Sequence, residues 1–258
     1  MGMGARMGTI MGTTTATAIR TTIPTTMGTA TNTGIPTGIP TATIMRTDAV
    51  LTLAQWLSPA YPVGAFAYSH GLEAAVAAGW VTDGADLEAW LTEVLTTGAG
   101  HNDALILAAA YHAATPDRLA EIDATARAFA ASKERLTETD QQGAAFTSTT
   151  HAIWGGDPAP LTYPVALGAA AARAGLPLDL AQEMYLQAFL SNLVAAGQRL
   201  LPVGQTEGQA ILARLSAQLP ATAAATRAGD LDALSATAFL TDIAAMRHET
   251  QATRIFRT

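Results

Sequence analysis

The chain has 258 residues, no cysteine, and 14 basic against 21 acidic residues, which gives a formal net charge of −7. Without cysteine there is no disulfide framework, no cysteine-ligated zinc and no cysteine nucleophile. The acidic balance argues against nucleic-acid binding, because no excess positive charge is present to displace counterions from phosphates. No uncharged apolar stretch reaches the length of about 18 residues that a membrane span needs. We therefore expect neither a nucleic-acid nor a membrane partner.

Residues 1–46 differ in composition from the rest of the chain. They hold six of the eight methionines, fifteen threonines and three arginines, but no Asp or Glu. Their Thr, Gly and Pro triplets show no helical or strand period, which predicts a disordered arm. An organellar transit peptide is an alternative, and a translation start at Met45 is the interpretation we prefer. From residue 47 onward, 11 basic and 21 acidic residues leave a net charge of −10.

From Asp48 the chain alternates amphipathic helices with turns that contain Gly or Pro. Helical spacing over residues 49–58 places Val50 and Leu53 on one face, and Asp83 or Asp86 can cap the helix that follows. Alanine is abundant and strand-like alternation is nearly absent, so the predicted fold class is all-α, a single domain of about ten helices over residues 47–258. Further helices are predicted at residues 103–113, 116–131, 133–151, 163–174, 179–196, 207–219 and 230–247.

Two catalytic or metal-binding interpretations remain as alternatives. The segment 67–71 (AYSHG) approaches the nucleophile elbow of serine hydrolases, with Ser69 as nucleophile and His248 as base. An elbow needs a strand before it and a parallel sheet around it, and neither is predicted here. No two of the five histidines are four residues apart, as a helical metal pair would be. His101 with Asp103, or His112, could still converge on a metal in the fold, so a direct nickel-binding protein stays as the second alternative. The single lysine, Lys133, does not belong to a phosphate-binding loop.

The C-terminal segment, residues 247–258, is unusual in an acidic protein. Arg254 and Arg257 flank the apolar pair Ile255 and Phe256. Leaving a phenylalanine exposed forgoes about 1.5–3 kcal/mol of burial, so the segment is expected to dock on this protein or on another. We favour a disordered tail that folds on a partner, with arginine donating forked hydrogen bonds to carboxylates.

A group of acidic residues in the middle of the chain allows two interpretations. The carboxylates could attract a cation or a basic partner, or they could lie on solvated helix faces. The second interpretation is favoured, because Glu134 and Glu138 have the spacing of neighbours on one helix. The group comprises Glu121, Asp123, Glu134, Glu138 and Asp140.

Four collinear segments resemble one protein family. Residues 58–73 (SPAYPVGAFAYSHGLE), followed by AGWV at 78–81, resemble the opening motif of the UreF family of urease accessory proteins. Residues 142–146 (QGAAF) and 197–205 (GQRLLPVGQ) are similar to its middle and penultimate blocks, and residues 247–257 (RHETQATRIFR) are similar to its tail. The resemblance spans residues 48–258 and leaves out only the Thr-rich arm.

The resemblance implies an all-α cytoplasmic protein without catalytic activity of its own. Members of this family act in nickel delivery to apo-urease: they bind UreD, called UreH in some organisms, and the pair recruits the GTPase UreG. A homodimer within the complex is also implied, as is a tail that orders against UreD/UreH. No tightly bound cofactor is expected, because nickel is handled by the complex.

The resemblance also implies ten partner-binding residues, with no catalytic residue and no metal ligand. Arg199 occupies the place of a basic residue linked to control of the GTPase. The other nine lie in the opening motif or in the tail and its root: Phe66, Tyr68, Ser69, Glu73, Arg247, His248, Arg254, Phe256 and Arg257.

Overall fold

The computed structural model describes Met1 and residues 41–258, except for the side chains of residues 41–46. Within this part, eleven α-helices and two short 3-10 turns are present and no strand, which confirms the all-α prediction. No helix there is both long and apolar enough to cross a membrane. The helices are α1 (Thr41–Trp56), α2 (Leu72–Ala77), α3 (Gly84–Thr96), α4 (Ala99–Tyr111), α5 (Pro116–Ala128), α6 (Lys133–Trp154), α7 (Tyr163–Arg173), α8 (Leu178–Leu200), α9 (Gln205–Ser216), α10 (Leu219–Thr226) and α11 (Phe239–His248).

The first helix begins before the predicted boundary of the arm. Because α1 starts at Thr41, the backbone of residues 41–46 is helical rather than disordered. The remainder of the predicted arm, residues 2–40, lies outside the described residues, so its disorder, its role and the preferred start at Met45 stay predictions.

The buried face of α1 differs from the predicted one. Leu53 is fully buried as expected, but Val50 is 39% exposed, and Trp56 is buried instead. The ring of Trp56 meets the ring of Phe146 edge-on, with centroids 5.5 Å apart. Burying this large aromatic side chain sets the rotation of the helix.

Side-chain caps begin several helices. The carboxylate of Asp83 accepts hydrogen bonds from the backbone N–H groups of Ala85 and Asp86, so Asp83 rather than Asp86 is the cap of α3. The hydroxyl of Thr115 accepts the N–H of Arg118 at the start of α5, and that of Ser132 accepts the N–H of Arg135 at the start of α6. Each cap satisfies N–H groups that have no partner inside the helix, which explains why the helices start at these residues.

The centre of the domain is a close contact between α4 and α7. A Cβ atom on Gly168 would collide with the backbone oxygen of Leu107, and one on Gly143 in α6 would collide with the backbone of residues 161–163. Glycine at these positions allows the three helices to approach more closely than any side chain would permit.

The predicted helix over residues 230–247 is shorter in the structure. Residues 231–233 form a 3-10 turn, the chain is irregular to Ala238, and α11 occupies the rest. The side chain of Asn102 exchanges two hydrogen bonds with the backbone of Ser235, at 2.7 and 3.0 Å. A side chain from α4 thus replaces the backbone hydrogen bonds that a helix would make in this segment. Local sequence does not reveal this tertiary contact. The separate helix α10 was also not predicted.

Candidate partner-binding site

After α11 the chain turns back and packs on its own opening motif. We call residues 249–258 the tail, and the contacts of the tail with residues 58–73, His248 and helix α6 the tail junction. The N–H of Arg257 donates to the carbonyl oxygen of Ala67 at 2.8 Å, and the N–H of Ser69 donates to that of Thr258 at 2.9 Å. The hydroxyl of Ser69 bonds to the same oxygen. Phe256 and Thr258 are buried by this packing.

Glu73 holds the middle of the tail. One carboxylate oxygen, Oε1, accepts the N–H of Ile255 at 2.7 Å, and the other, Oε2, accepts the N–H of Phe256 at 2.9 Å. The carboxylate is nearly buried, so it bonds to two backbone donors in place of water. Hydrogen bonds to a charged acceptor are stronger than neutral ones, and they fix the backbone on both sides of the Phe256 amide.

His248 connects Glu73 to a second carboxylate. Its ring is fully buried, with Nδ1 2.6 Å from Oε2 of Glu134 and Nε2 3.3 Å from Oε2 of Glu73. Each ring nitrogen of His248 therefore faces a carboxylate oxygen, one from α6 and one from α2. Glu134 also pairs with Arg254 of the tail. Helices α2, α6 and α11 and the tail therefore share one ionic network.

Glu138 anchors the last residue of the junction from α6. Its carboxylate is 2.8 Å from Nε2 of His70 and from Nε2 of Gln142, and 3.2 Å from the hydroxyl of Thr258. Burial by itself raises the pKa of this carboxyl, but the charges of His70 and Arg135 outweigh burial and lower the pKa overall. Glu138 is therefore ionised at neutral pH and accepts all of these hydrogen bonds.

Gly71 allows the two helices under the tail to meet. Its φ of 76° lies in the left-handed region, and a Cβ atom there would lie 2.5 Å from the backbone nitrogen of Ala245 in α11. Glycine therefore satisfies both the turn and the close approach of α2 to α11. The preceding residue, His70, has a φ of 53°, which is uncommon for a residue with a side chain.

Two exposed arginines each have the guanidinium carbon over an aromatic ring. The Cζ atom of Arg199, at the end of α8, lies 4.3 Å from the ring centroid of Phe256. The Cζ atom of Arg247, on α11, lies 4.8 Å from the ring centroid of Trp80. Stacking uses the face of a guanidinium and leaves its N–H edge available to an oxyanion.

Helix α11 also presents an apolar stripe to solvent. Four large side chains spaced for one helix face are unburied, although a soluble helix normally turns such a face toward the core. They are Phe239 (68% exposed), Leu240 (57%), Ile243 (40%) and Met246 (53%).

Comparison with known proteins identifies the family. The family model described as UreF matches residues 81–216. The chain belongs to the UreF family. It is 59% identical over 213 residues to the urease accessory protein UreF of Ruegeria sp. (strain TM1040), covering 83% of this chain and 100% of that protein. The proteins of the same name from Ruegeria pomeroyi and Roseobacter denitrificans are 55% and 52% identical, with 81% and 83% of this chain and 96% of each relative covered.

The ten residues predicted for partner binding divide into two sets in this UreF-family chain. Five are buried and bond or pack within the chain, so the expectation that the tail orders only on a partner is corrected: the tail is docked in the single chain. The buried residues are Tyr68, Ser69, Glu73, His248 and Phe256. The exposed residues are Phe66, Arg199, Arg247, Arg254 and Arg257, and partner contact stays a prediction for all ten.

The geometry does not favour a hydrolase at Ser69. This side chain is fully buried, and its hydroxyl bonds to the backbone of Thr258 and Glu73, while His70 and His248 bond to carboxylates. A nucleophile needs access to substrate and a base within hydrogen-bond reach. Among the residues that the structure describes, no group of three or more His, Asp or Glu side chains is placed to hold a metal ion.

Sequence reasoning missed part of this site. Glu134 and Glu138 were interpreted as solvated, but Glu138 is buried, and both hold the tail. Asp123, from the same acidic group, is buried, and its Oδ1 accepts the backbone N–H of Thr162 at 2.7 Å. The spacing of residues 239–246 was visible in the sequence, but an exposed stripe and a core-facing stripe have the same spacing.

Proposed function

We propose that this chain is a non-catalytic scaffold of urease maturation. In this role it binds UreD/UreH and recruits the GTPase UreG, so that nickel, as cargo, is inserted into apo-urease in the cytoplasm. We further propose that the chain acts as a homodimer within that complex, holds no resident cofactor and influences GTP hydrolysis by UreG. The names of its curated relatives support the link to urease, and the exposed stripe on α11 supports action by binding.

The α11 stripe is the observation that carries the proposal. Contiguous exposed apolar side chains mark protein interaction sites, and buried aromatic and aliphatic anchors contribute most of the affinity at interfaces. Here the stripe continues into Arg247 and the tail, so apolar anchors and arginine donors lie on one segment of the chain. That combination fits a protein partner with an apolar groove bordered by carboxylates.

The stripe is tested by pull-down of UreD/UreH with a double variant, Phe239→Asp with Met246→Asp. Two buried charges at an interface are expected to weaken binding by a few kcal/mol. The matched control is Leu51→Asp on α1, an apolar side chain of similar exposure, at 64%. Wild-type recovery of partner with the double variant would contradict the proposal, as would an equal loss with Leu51→Asp.

The tail is tested by co-expression with urease and its other accessory proteins. A chain stopped after Gln251 keeps α11 and the buried His248 but removes every contact of residues 252–258. We expect less urease activity and less nickel in urease. The full-length double variant Arg254→Ala with Phe256→Ala should weaken partner capture by about 2 kcal/mol or more. Full urease activation by both variants would rule out a role for the tail.

Arg199 is tested by the substitution Arg199→Ala in the same co-expression. We expect the complex still to form, because the α11 stripe and the tail, which carry most of the proposed contact, are unchanged. The amount of urease activated for each GTP hydrolysed should change, since Arg199 is proposed to influence UreG. Unchanged coupling would remove the proposed role in GTPase control.

A further inference from the structure

Arg199 is oriented by one aromatic ring. It is exposed, lies in the last turn of α8, and has its Cζ atom 4.3 Å from the centroid of Phe256. Among the described residues no ion pair or side-chain hydrogen bond of Arg199 is present, so the stacking is its principal fixed contact. An arginine side chain has several rotatable bonds, and without such a contact it would sample many orientations.

Phe256 is itself fixed by the opening motif. Its ring is buried, its N–H bonds to Glu73 at 2.9 Å, and the next residue, Arg257, bonds through its N–H to Ala67. The ring therefore cannot change position while the tail is docked. This gives a chain of contacts from Glu73 through Phe256 to Arg199, across elements separated by more than fifty residues in sequence.

We propose that Phe256 is a positioning residue for Arg199. With the tail docked, the guanidinium is stacked on the ring, and its N–H edge is presented as a preformed site for a carboxylate of an acidic protein partner. Forked hydrogen bonds from guanidinium to carboxylate require such an orientation. The inference rests on the proposed function only for the identity of that partner, UreG. If Phe256 positions Arg199, the action of Arg199 depends on the docked tail.

Arg247 supplies an internal control. It is stacked on Trp80 in a similar way, at 4.8 Å, but Trp80 follows α2 and does not belong to the tail. A change that removes the ring of Phe256 should mobilise the guanidinium of Arg199 and leave that of Arg247 ordered. A general loosening of the domain would mobilise both.

The positioning is measured by NMR of the full-length chain, through the Nε–H signals of Arg199 and Arg247 and amide exchange at Ile255. Phe256→Leu keeps apolar volume and removes the ring, whereas Phe256→Tyr keeps the ring. We expect Phe256→Leu to mobilise Arg199 with Ile255 still protected, and Phe256→Tyr to restore the wild-type signal. An ordered Arg199 in Phe256→Leu overturns the proposal.

A second variant covers the case in which Phe256→Leu releases the tail. Glu73→Gln leaves the ring intact and weakens the bonds that hold the tail, so Ile255 should exchange rapidly and Arg199 should become mobile together. If Ile255 exchanges rapidly while Arg199 stays ordered, the ring does not position the arginine, and the proposal is overturned.

The second part of the test uses the complex with UreG and measures the amount of urease activated for each GTP hydrolysed. We expect Phe256→Leu and Arg199→Ala each to change this ratio about tenfold, which corresponds to the loss of one charge-assisted hydrogen bond. The double variant should change the ratio no further than either single variant does. Phe256→Tyr should match wild type. Additive effects overturn the positioning role. If Arg199→Ala has no effect, the proposed role in GTPase control fails, while the NMR result still decides whether Phe256 positions Arg199.

Discussion

The contact between α4 and α7 and the tail junction are held together by different chemistry. Between α4 and α7, glycine and alanine residues are small enough to let the two backbones meet, as at Gly168 and Leu107. At the tail junction, carboxylates of Glu73, Glu134 and Glu138 bond to backbone N–H groups, histidine and arginine. The first contact depends on shape, and the second on charge and hydrogen bonds.

This difference separates the parts of the molecule that can change from those that cannot. Close packing of backbones has no alternative arrangement at similar energy, because any shift creates voids or overlap. Hydrogen bonds to carboxylates can instead be exchanged for bonds to water or to a partner at a smaller cost. The tail junction can therefore rearrange while the helical body stays folded.

The largest expected effect is at the close-packed contact. Gly168→Val places a branched side chain against the backbone of Leu107, and we expect the free energy of unfolding to fall by about 3 kcal/mol or more. Urea denaturation followed by circular dichroism measures it. Gly204→Ala is the control, since space is open around its Cβ position and its φ of −74° is ordinary; a change below about 1 kcal/mol is expected. Equal effects would show that backbone proximity does not determine stability here.

A smaller and more local effect is expected at the tail junction. Glu73→Gln removes the charged acceptor of two backbone N–H groups, which should cost tail docking about 2–3 kcal/mol while helicity is retained. Hydrogen exchange at Ile255 and Phe256 measures the loss. The control is Glu249→Gln, an exposed tail carboxylate that accepts the N–H of Lys133 at 2.7 Å. Loss of helicity in Glu73→Gln would mean that the junction is part of the folding core.

The charge on Glu138 should make stability depend on pH at the acid end. Because its pKa is lowered from the ordinary value of 4.5, its stabilisation is complete above that value and is lost as pH falls through the lower folded-state pKa. Wild type should therefore be more stable than Glu138→Gln at pH 7, and the difference should shrink below pH 4.5. Urea titrations at a series of pH values measure it. A difference that grows on acidification would reverse the assigned sign.

The smallest effect is expected for an ion pair outside both regions. Arg214 pairs with Glu88 through two hydrogen bonds, at 2.8 and 2.6 Å, but both side chains are in contact with water. Exposed pairs contribute little, because water and salt screen them. Arg214→Ala should leave the unfolding midpoint unchanged, both with and without added salt. A clear loss would mean that exposed and buried ion pairs are equivalent in this protein.

Local sequence was sufficient for most helices and for the location of the tail motif. Apolar spacing and caps such as Asp83 act within one or two turns, so they can be identified without a partner segment. The failures occurred where a distant side chain replaced a local interaction. Asn102 replaces helical bonds at Ser235, and Trp56 turns α1 so that Val50 is exposed.

The candidate site shows the same division. Residues of the opening motif and the tail were selected by their resemblance to the family, but the sequence did not show that Glu73 bonds to Ile255, 182 residues away. It also did not distinguish the buried Tyr68 and Phe256 from the exposed Phe66, since a sequence does not show which aromatic residues of a motif are buried. Burial depends on which elements meet, and this is a tertiary property.

The amino-acid sequence by itself determined the helical class, the family and the segments that carry its motifs, because helix periodicity and motif identity are written over short spans of chain. Only the tertiary structure decided that the tail is docked on its own domain, that Glu138 is buried and that Arg199 lies on Phe256. Those outcomes depend on contacts between groups far apart in the chain, whose energies exist only once the helices have packed.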